Sequence, residues 1–382
     1  MYLNFKHLIL SILVVSAVPM KNRIMADDFF RRPESLQAVP SQTSETKVND
    51  VSIVKRIVAA YQRSAAPTEN RGNSMWKEFF HQRHEKLHKV FMSGNLNTAA
   101  HILRNPHTTD LFYGFDNLAV SILPIFESAA VQQGHATTCL DGLIRCAEAI
   151  GVIPLDNPEN YTASPPVPWK ADAIIDKLRQ VFGKPIIFPN PYPSEHGLNT
   201  SYGIVSYRVP QAIYQAYRIK QLLGNITNPR VLEIGAGLGR TAYFARLLGI
   251  KDYTIVDIPF TALSSGYFLG CILGEDQIVY SGEQAPNAQE RIKILNPEEF
   301  LSSNNRYDLI INTDGFTEMD QNIARSYWKK IEKCTPIFLS INHENNSYRV
   351  RILIDESKNI ISAERHLYWM RKGYVEEVVR FK

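Results

Sequence analysis

Two groups of residues in this chain have the types and spacing to do chemistry. The first is VLEIGAGLGR at 231–240, where an apolar run gives way to Gly235, Gly237 and Gly239, with Glu233 just upstream. A glycine-rich turn between a strand and a helix lets the backbone approach a ligand that side chains would hold off. The dinucleotide fingerprint G-x-G-x-x-G would put its third glycine where this chain has Arg240, so the register here is G-x-G-x-G. Glu233 at the strand end would repel a pyrophosphate. S-adenosylmethionine has no phosphate, carries a sulfonium and an ammonium, and tolerates a nearby carboxylate. Asp257 ends the run YTIVD, where a second-strand carboxylate accepts hydrogen bonds from ribose hydroxyls. We therefore expect Glu233, Gly235, Ala236, Gly237, Gly239, Asp257 and Ile258 to hold S-adenosylmethionine. Tyr207 and Arg208 join them, because an arginine before the helix that leads into the first strand can bind the methionine carboxylate in a forked pair.

The second group lies in NTDGFTEM (312–319) and SINHEN (340–345), two polar segments that directly follow apolar runs. In an open α/β sheet, ligands sit beyond the carboxyl ends of the strands, where these segments fall. Methyl transfer needs in-line positioning, and a hydroxyl acceptor also needs a base for its proton. His343 is the first choice of base because an imidazole titrates near neutrality. Glu344 would orient it, and Asp314 is the rival base. Glu318 and Asn342 are expected to hydrogen-bond the substrate. Asp314, His343 and Glu344 are also metal-ligand types, but we expect no metal.

These residues need a scaffold. From Gly183 onward, short β-rich runs alternate with helices: RVLEIG, DYTIVD, QIVYSG, RIKIL, YDLIINTD and TPIFLSIN. That alternation predicts an α/β, mainly parallel sheet covered on both faces. RHLYWM and YVEEVVRF flank a turn at Lys372 and Gly373 and predict a C-terminal antiparallel hairpin. Residues 48–183 read instead as a helical domain, with Val51, Val54, Ile57, Val58 and Tyr61 on one face of its first helix. His81, His84 and His88 share helical spacing nearby but have no carboxylate or thiolate to complete a metal set, so we read them as a solvated helix face. Residues 184–382 form the expected cofactor-binding domain.

The formal charge of +4 over 382 residues is too small for a nucleic-acid footprint. The four cysteines form no C-x-x-C pair, as in a reduced protein with buried thiols. HLILSILVVSAVPM at 7–20 has the length of a signal-peptide core and is short for a membrane span. We read residues 1–47 as this apolar segment plus a disordered linker, and the protein as cytoplasmic, because S-adenosylmethionine is an intracellular cofactor. A weak N-terminal anchor facing the cytoplasm is the alternative. The sequence is silent on oligomeric state.

Taken together, VLEIGAGLGR, DYTIVDIPF…GYFLG, DLIINTDGFTEM, FLSINHE and YWMRKGYVEE resemble the sugar O-methyltransferase family of class I methyltransferases. The resemblance runs from LFYGFD (111–116) to the C-terminus and includes FPNPYPSEHGLNTSYGIVSYR. It implies a Rossmann-like class I methyltransferase sheet, S-adenosylmethionine as cofactor, and a sugar or glycan acceptor of the kind met in polysaccharide biosynthesis. Gly315 departs from it, since a serine is expected after Asp314. The competing functions are methylation of another small molecule or a protein, an NAD-dependent oxidoreductase, and a non-catalytic protein that keeps the fold and the cofactor.

Overall fold

A computed structural model describes residues 38–43, 50–64, 74–155, 169–346 and 348–382. The apolar segment at 7–20, and with it the question of a signal or anchor, lies outside the described residues. Among the described residues no helix is long and apolar enough to cross a membrane.

Three short strands, β1 (Pro40–Gln42), β2 (His196–Thr200) and β3 (Gly203–Val205), form a small antiparallel sheet. The main sheet contains β4 (Arg230–Ile234), β5 (Asp252–Val256), β6 (Ile278–Tyr280), β7 (Ile292–Leu295), β8 (Leu309–Thr313), β9 (Ile337–His343), β10 (Ile360–Leu367) and β11 (Tyr374–Phe381). Its order is β10-β11-β9-β8-β4-β5-β7-β6. The run from β9 to β6 is parallel, and β11 is antiparallel to both β9 and β10. Strands β4 and β5 are buried almost throughout, which is why they read as continuous apolar runs and not as alternation. The expected hairpin is present, with its first strand beginning five residues earlier than RHLYWM.

The helices are α1 (Val51–Ser64), α2 (Met75–Phe79), α3 (Glu85–Ser93), α4 (Leu96–Arg104), α5 (Ala129–Ile150), α6 (Ala171–Phe182), α7 (Val209–Leu223), α8 (Arg240–Leu247), α9 (Pro259–Leu273), α10 (Pro297–Ser302), α11 (Gly315–Glu318), α12 (Gln321–Cys334) and α13 (Val350–Glu356). The apolar face of α1 is buried as its spacing predicts, except that Val51 in the first turn is exposed.

Three expectations need correction. Residues 40–42 are not linker: β1 pairs with β2, and the Thr43 hydroxyl donates to Tyr192 O at 2.7 Å. The helical residues 48–183 share their main core with the rest of the chain, since Ile57, Tyr61, Phe91 and Leu103 pack in one cluster with Phe260, Tyr267 and the sheet residues Val231 and Ile255, while Phe79, Tyr113, Ala119, Ile122 and Phe126 form a small cluster of their own. The histidine face is not simply solvated. A π-helical turn at Phe80–His84 joins α2 to α3. His84 is buried on the face that Phe80, Leu87 and Phe91 share, with its ring stacked on Phe260 at 4.8 Å and Nε2 against Asp110 O at 2.9 Å, while His88 Nδ1 meets the Tyr61 hydroxyl at 2.8 Å.

Candidate active site

The glycine turn sits at the carboxyl end of β4, in the middle of the sheet. Gly235, Gly237 and Gly239 all have positive φ, at 75°, 58° and 79°, a conformation that costs glycine little and other residues more. The three do different things. A Cβ at Gly239 would meet Leu269 Cδ1 at 2.8 Å, so this glycine lets α8 pack against α9. At Gly235 and Gly237 a Cβ would meet nothing closer than 3.7 Å and 4.0 Å, the latter to Phe115. There an added Cβ would sit in ordinary van der Waals contact, so a side chain would take up the room that the glycines leave beside the backbone.

Asp257 follows β5 and lies beside this turn. Its Oδ2 accepts the Gly237 N–H at 3.2 Å and its Oδ1 the Ile258 N–H at 2.8 Å. Burial pushes its carboxyl up to about 7 against the pull of these amides. Glu233 lies beneath the turn, almost fully buried, accepting from the Tyr253 hydroxyl at 2.9 Å; burial pushes it up to about 7 as well. Glu233 thus supports the turn from inside the sheet. Arg240, directly after the turn, faces away from it and is buried between two acids, donating to Asp116 at 2.6 Å and Glu195 at 2.7 Å. This clamp joins LFYGFD, PSEHG and the glycine turn, three separated motifs whose shared purpose sequence reading missed.

At the end of β8 the chain turns sharply. Asp314 has φ 64° and ψ −35°, a conformation that costs a non-glycine residue of order 1–3 kcal/mol and persists where the surroundings over-determine it. The surroundings here are Arg371 at 3.0 Å and Arg208 at 3.3 Å, both donating to Asp314 Oδ2. Burial alone would raise the Asp314 carboxyl, but the two guanidiniums outweigh it and hold the group below the usual carboxylate range. Among the described residues, its Oδ1 is buried without a hydrogen-bond partner. Arg371, which also lies over the Tyr374 ring at 3.9 Å, was not singled out in the sequence, although it sits inside YWMRKGYVEE.

Gly315 now has a physical reason. A Cβ there would meet Asn312 Nδ2 at 2.8 Å, and that nitrogen is fixed by donating to Ile234 O at 2.8 Å. Asn342 Nδ2 donates to Asn312 Oδ1 at 2.9 Å and to Ser340 at 2.9 Å. Asn342 is therefore buried in a network that ties the ends of β4, β8 and β9 together, and does not face substrate as expected.

His343 ends β9, with Tyr374 edge-on at 5.6 Å. Burial holds its imidazole below the ordinary value, so the ring is neutral near pH 7. Its Nδ1 accepts the Asn345 N–H at 3.3 Å, which leaves the proton of the neutral ring on Nε2. In that tautomer the nitrogen left free carries the proton, so a hydroxyl beside it would meet a donor. Glu344 does not orient it. Glu344 turns to Arg365 in a forked pair at 2.7 and 2.9 Å, and that bond holds its carboxyl below the usual value. Among the described residues no three metal-ligand side chains cluster.

Glu318 closes α11. Burial, followed by the charge of Asp314, pushes its carboxyl up to about 8. Trp76 belongs to α2, with its ring centroid 6.4 Å from that of Phe115, whose ring edge approaches Gly237, so the helical half lies over the glycine turn. Beside Arg208 opens a cleft lined by Tyr207, Ser194, Ser206, His135, His196 and Phe126. Ser194 is another residue held at positive φ, 67°.

No family model and no curated protein matches the chain. Solved structures do resemble it in part. A protein of Pyrococcus horikoshii described as an RNA methyltransferase is 20% identical, over 55% of this chain and 97% of its own, with a TM-score of 0.33. The glycopeptide N-methyltransferase MtfA, solved with S-adenosyl-L-methionine, is 14% identical over 45% of this chain and 94% of its own, with a TM-score of 0.33. The methyltransferase domain of bacterial CtHen1 is 10% identical over 45% and 98%, with a TM-score of 0.32. MtfA has also been solved with sinefungin and with S-adenosyl-L-homocysteine.

Proposed function

We propose that this protein is an S-adenosylmethionine-dependent O-methyltransferase acting on a hydroxyl of a sugar or sugar-containing acceptor in the cytoplasm. The observation that carries the cofactor is the charge at the glycine turn. Asp257 stands beside the turn and Glu233 beneath it, while the guanidinium of Arg240 is consumed by Asp116 and Glu195. Among the described residues a phosphate would meet carboxylates and no free cation there, whereas a cationic, phosphate-free nucleoside meets compatible charge. Gly235, Ala236 and Gly237 would give it backbone space, and Asp257 would accept its ribose hydroxyls through the lone pairs not used by the amides. Arg208 would reach its carboxylate, with Tyr207 beside it. When bound, the cofactor supplies an electrophilic methyl on a sulfonium.

The strand order supports the same fold family. The parallel run from β9 to β6, closed by the antiparallel β11 and then β10, agrees with the Rossmann-like sheet and C-terminal hairpin that the resemblance implies. The sugar class rests on that resemblance. Transfer of labelled methyl from S-adenosylmethionine to a panel of methyl hexosides tests the acceptor. Labelled hexoside is the expected product. Labelling of a peptide or of RNA in its place would contradict the assignment.

A further inference from the structure

We propose that the outer edge of the main sheet is the contact surface of a symmetric dimer, in which β10 pairs antiparallel with β10 of a second copy of this chain. An open strand edge carries unpaired N–H and C=O groups, and proteins cap, twist or charge such edges to keep them from pairing. The two edges of this sheet differ in that respect. Strand β6 is three residues long and buried, and Arg56 from α1 donates to its Ile278 O at 2.8 Å. Strand β10 is eight residues long, with its last four exposed, and holds no proline, glycine or lysine. Leu367 at its end is 87% exposed and Ile361 68%.

The inner side of the strand fixes which groups face outward. Just past β10, the Tyr368 N–H donates to Tyr374 O at 2.9 Å, and bonded and non-bonded pairs alternate along an antiparallel ladder. The pairs Glu364↔Val378 and His366↔Glu376 are in step with that bond, so the even-numbered residues spend their backbone groups on β11. Those of Ala363, Arg365 and Leu367 point away from it. A two-fold axis beside Arg365 sets Arg365 against Arg365 and Ala363 against Leu367 of the second copy, each pair exchanging both backbone bonds. On the other face the same register sets Glu364 against His366 of the second copy, and the symmetry makes that contact twice. Both side chains are exposed. Sliding the axis by one residue would set Glu364 against Glu364, or His366 against His366, so charge selects the register centred on Arg365.

Two further observations suit a second copy. Like charges directly opposite each other oppose pairing, but the Arg365 guanidinium is turned inward over the sheet, forked to Glu344 at 2.7 and 2.9 Å and donating to Glu377 at 3.3 Å. Ala363 packs against the apolar cluster that holds Phe338, Val379 and Phe381. Leu367 of the second copy, arriving beside Ala363, would extend that cluster and lose its exposure. A contact confined to one strand is small, so the dimer is expected to depend on concentration.

Sedimentation equilibrium of the full chain between about 1 and 100 μM should show the mass rising from that of one chain toward that of two. Leu367→Lys should weaken association at least about tenfold, because a lysine on an open edge blocks pairing. Its melting temperature at low concentration should match the wild type, since the leucine is exposed. Glu364→Lys should also weaken association at least about tenfold, because it sets two basic side chains together at both symmetry-related contacts. Adding His366→Glu to Glu364→Lys restores opposite charges and should bring association back to within about threefold of the wild type. A full chain that stays monomeric at every concentration would overturn the proposal, as would a dimer that none of these substitutions weakens. A dimer weakened by Leu367→Lys but not recovered by the charge exchange would overturn the register centred on Arg365. A chain that dimerises only after residues 1–37 are deleted would give the edge to that segment and overturn the pairing of two full chains.

Discussion

Arg371, in the turn between β10 and β11, donates to Oδ2 of Asp314 at the end of β8 across 3.0 Å, with both side chains largely buried. The contact joins the C-terminal hairpin to the strand end where the proposed chemistry occurs. Removing one partner of a buried ion pair strands the other. Arg371→Met should therefore destabilise the protein by as much as about 3–5 kcal/mol, less whatever Arg208 still compensates. Arg371→Met combined with Asp314→Asn should recover part of the loss in a thermal-melt cycle. Strictly additive losses would show that the two residues are not coupled.

Gly315 provides a second test, because the family resemblance leads one to expect serine. The Asn312 amide that a Cβ would strike is fixed to Ile234 O. Gly315→Ser should cost about 1–3 kcal/mol, the usual penalty of overpacking. Asn312→Ala should make the serine better tolerated. A serine variant that melts with the wild type would show that the end of β8 yields.

Truncations test the role of the third strand in the small sheet. Deleting residues 1–47 removes β1 and the Thr43 hydroxyl, which donates to Tyr192 O and accepts the Glu195 N–H at 3.1 Å. Glu195 in turn holds Arg240 behind the glycine turn. The protein lacking 1–47 should melt lower than one lacking only 1–37 and bind cofactor more weakly. Identical melting of the two would show that β1 contributes nothing.

Much of this was legible in the sequence where one periodicity or one steric rule decides the outcome. The alternating β-rich and helical runs marked the strands β4 to β9 and the closing hairpin, and the G-x-G-x-G register marked the turn, whereas β2, β3 and α13 went unread. What depended on distant partners was not legible. Phe80, His84, Leu87 and Phe91 recur at spacings of four and three, so the helical count already puts His84 on the buried face; what the sequence did not show is what covers it, the Phe260 ring and the Asp110 carbonyl. Glu344 carries the same charge whether it faces His343 or Arg365, and strand pairing with the hairpin decides in favour of Arg365. Arg371, Trp76 and Phe115 lie far in sequence from the glycine turn and reach the site through packing alone. The one sequence signal for Arg371 was its place beside a turn glycine.

The central claim is that the glycine turn and Asp257 hold S-adenosylmethionine, and calorimetry of the full chain tests it most directly. S-adenosylmethionine should bind saturably and NAD should not. A carboxylate accepts ribose hydroxyl bonds better than a carboxylic acid, and burial places the Asp257 titration near 7. Affinity should therefore rise as pH increases through that value. Asp257→Ala should weaken binding at least about tenfold, as loss of charge-assisted bonds worth about 1.5–3 kcal/mol requires, and should remove that component of the pH dependence. Binding of NAD in preference to S-adenosylmethionine, or an Asp257→Ala protein with wild-type affinity, would contradict the account.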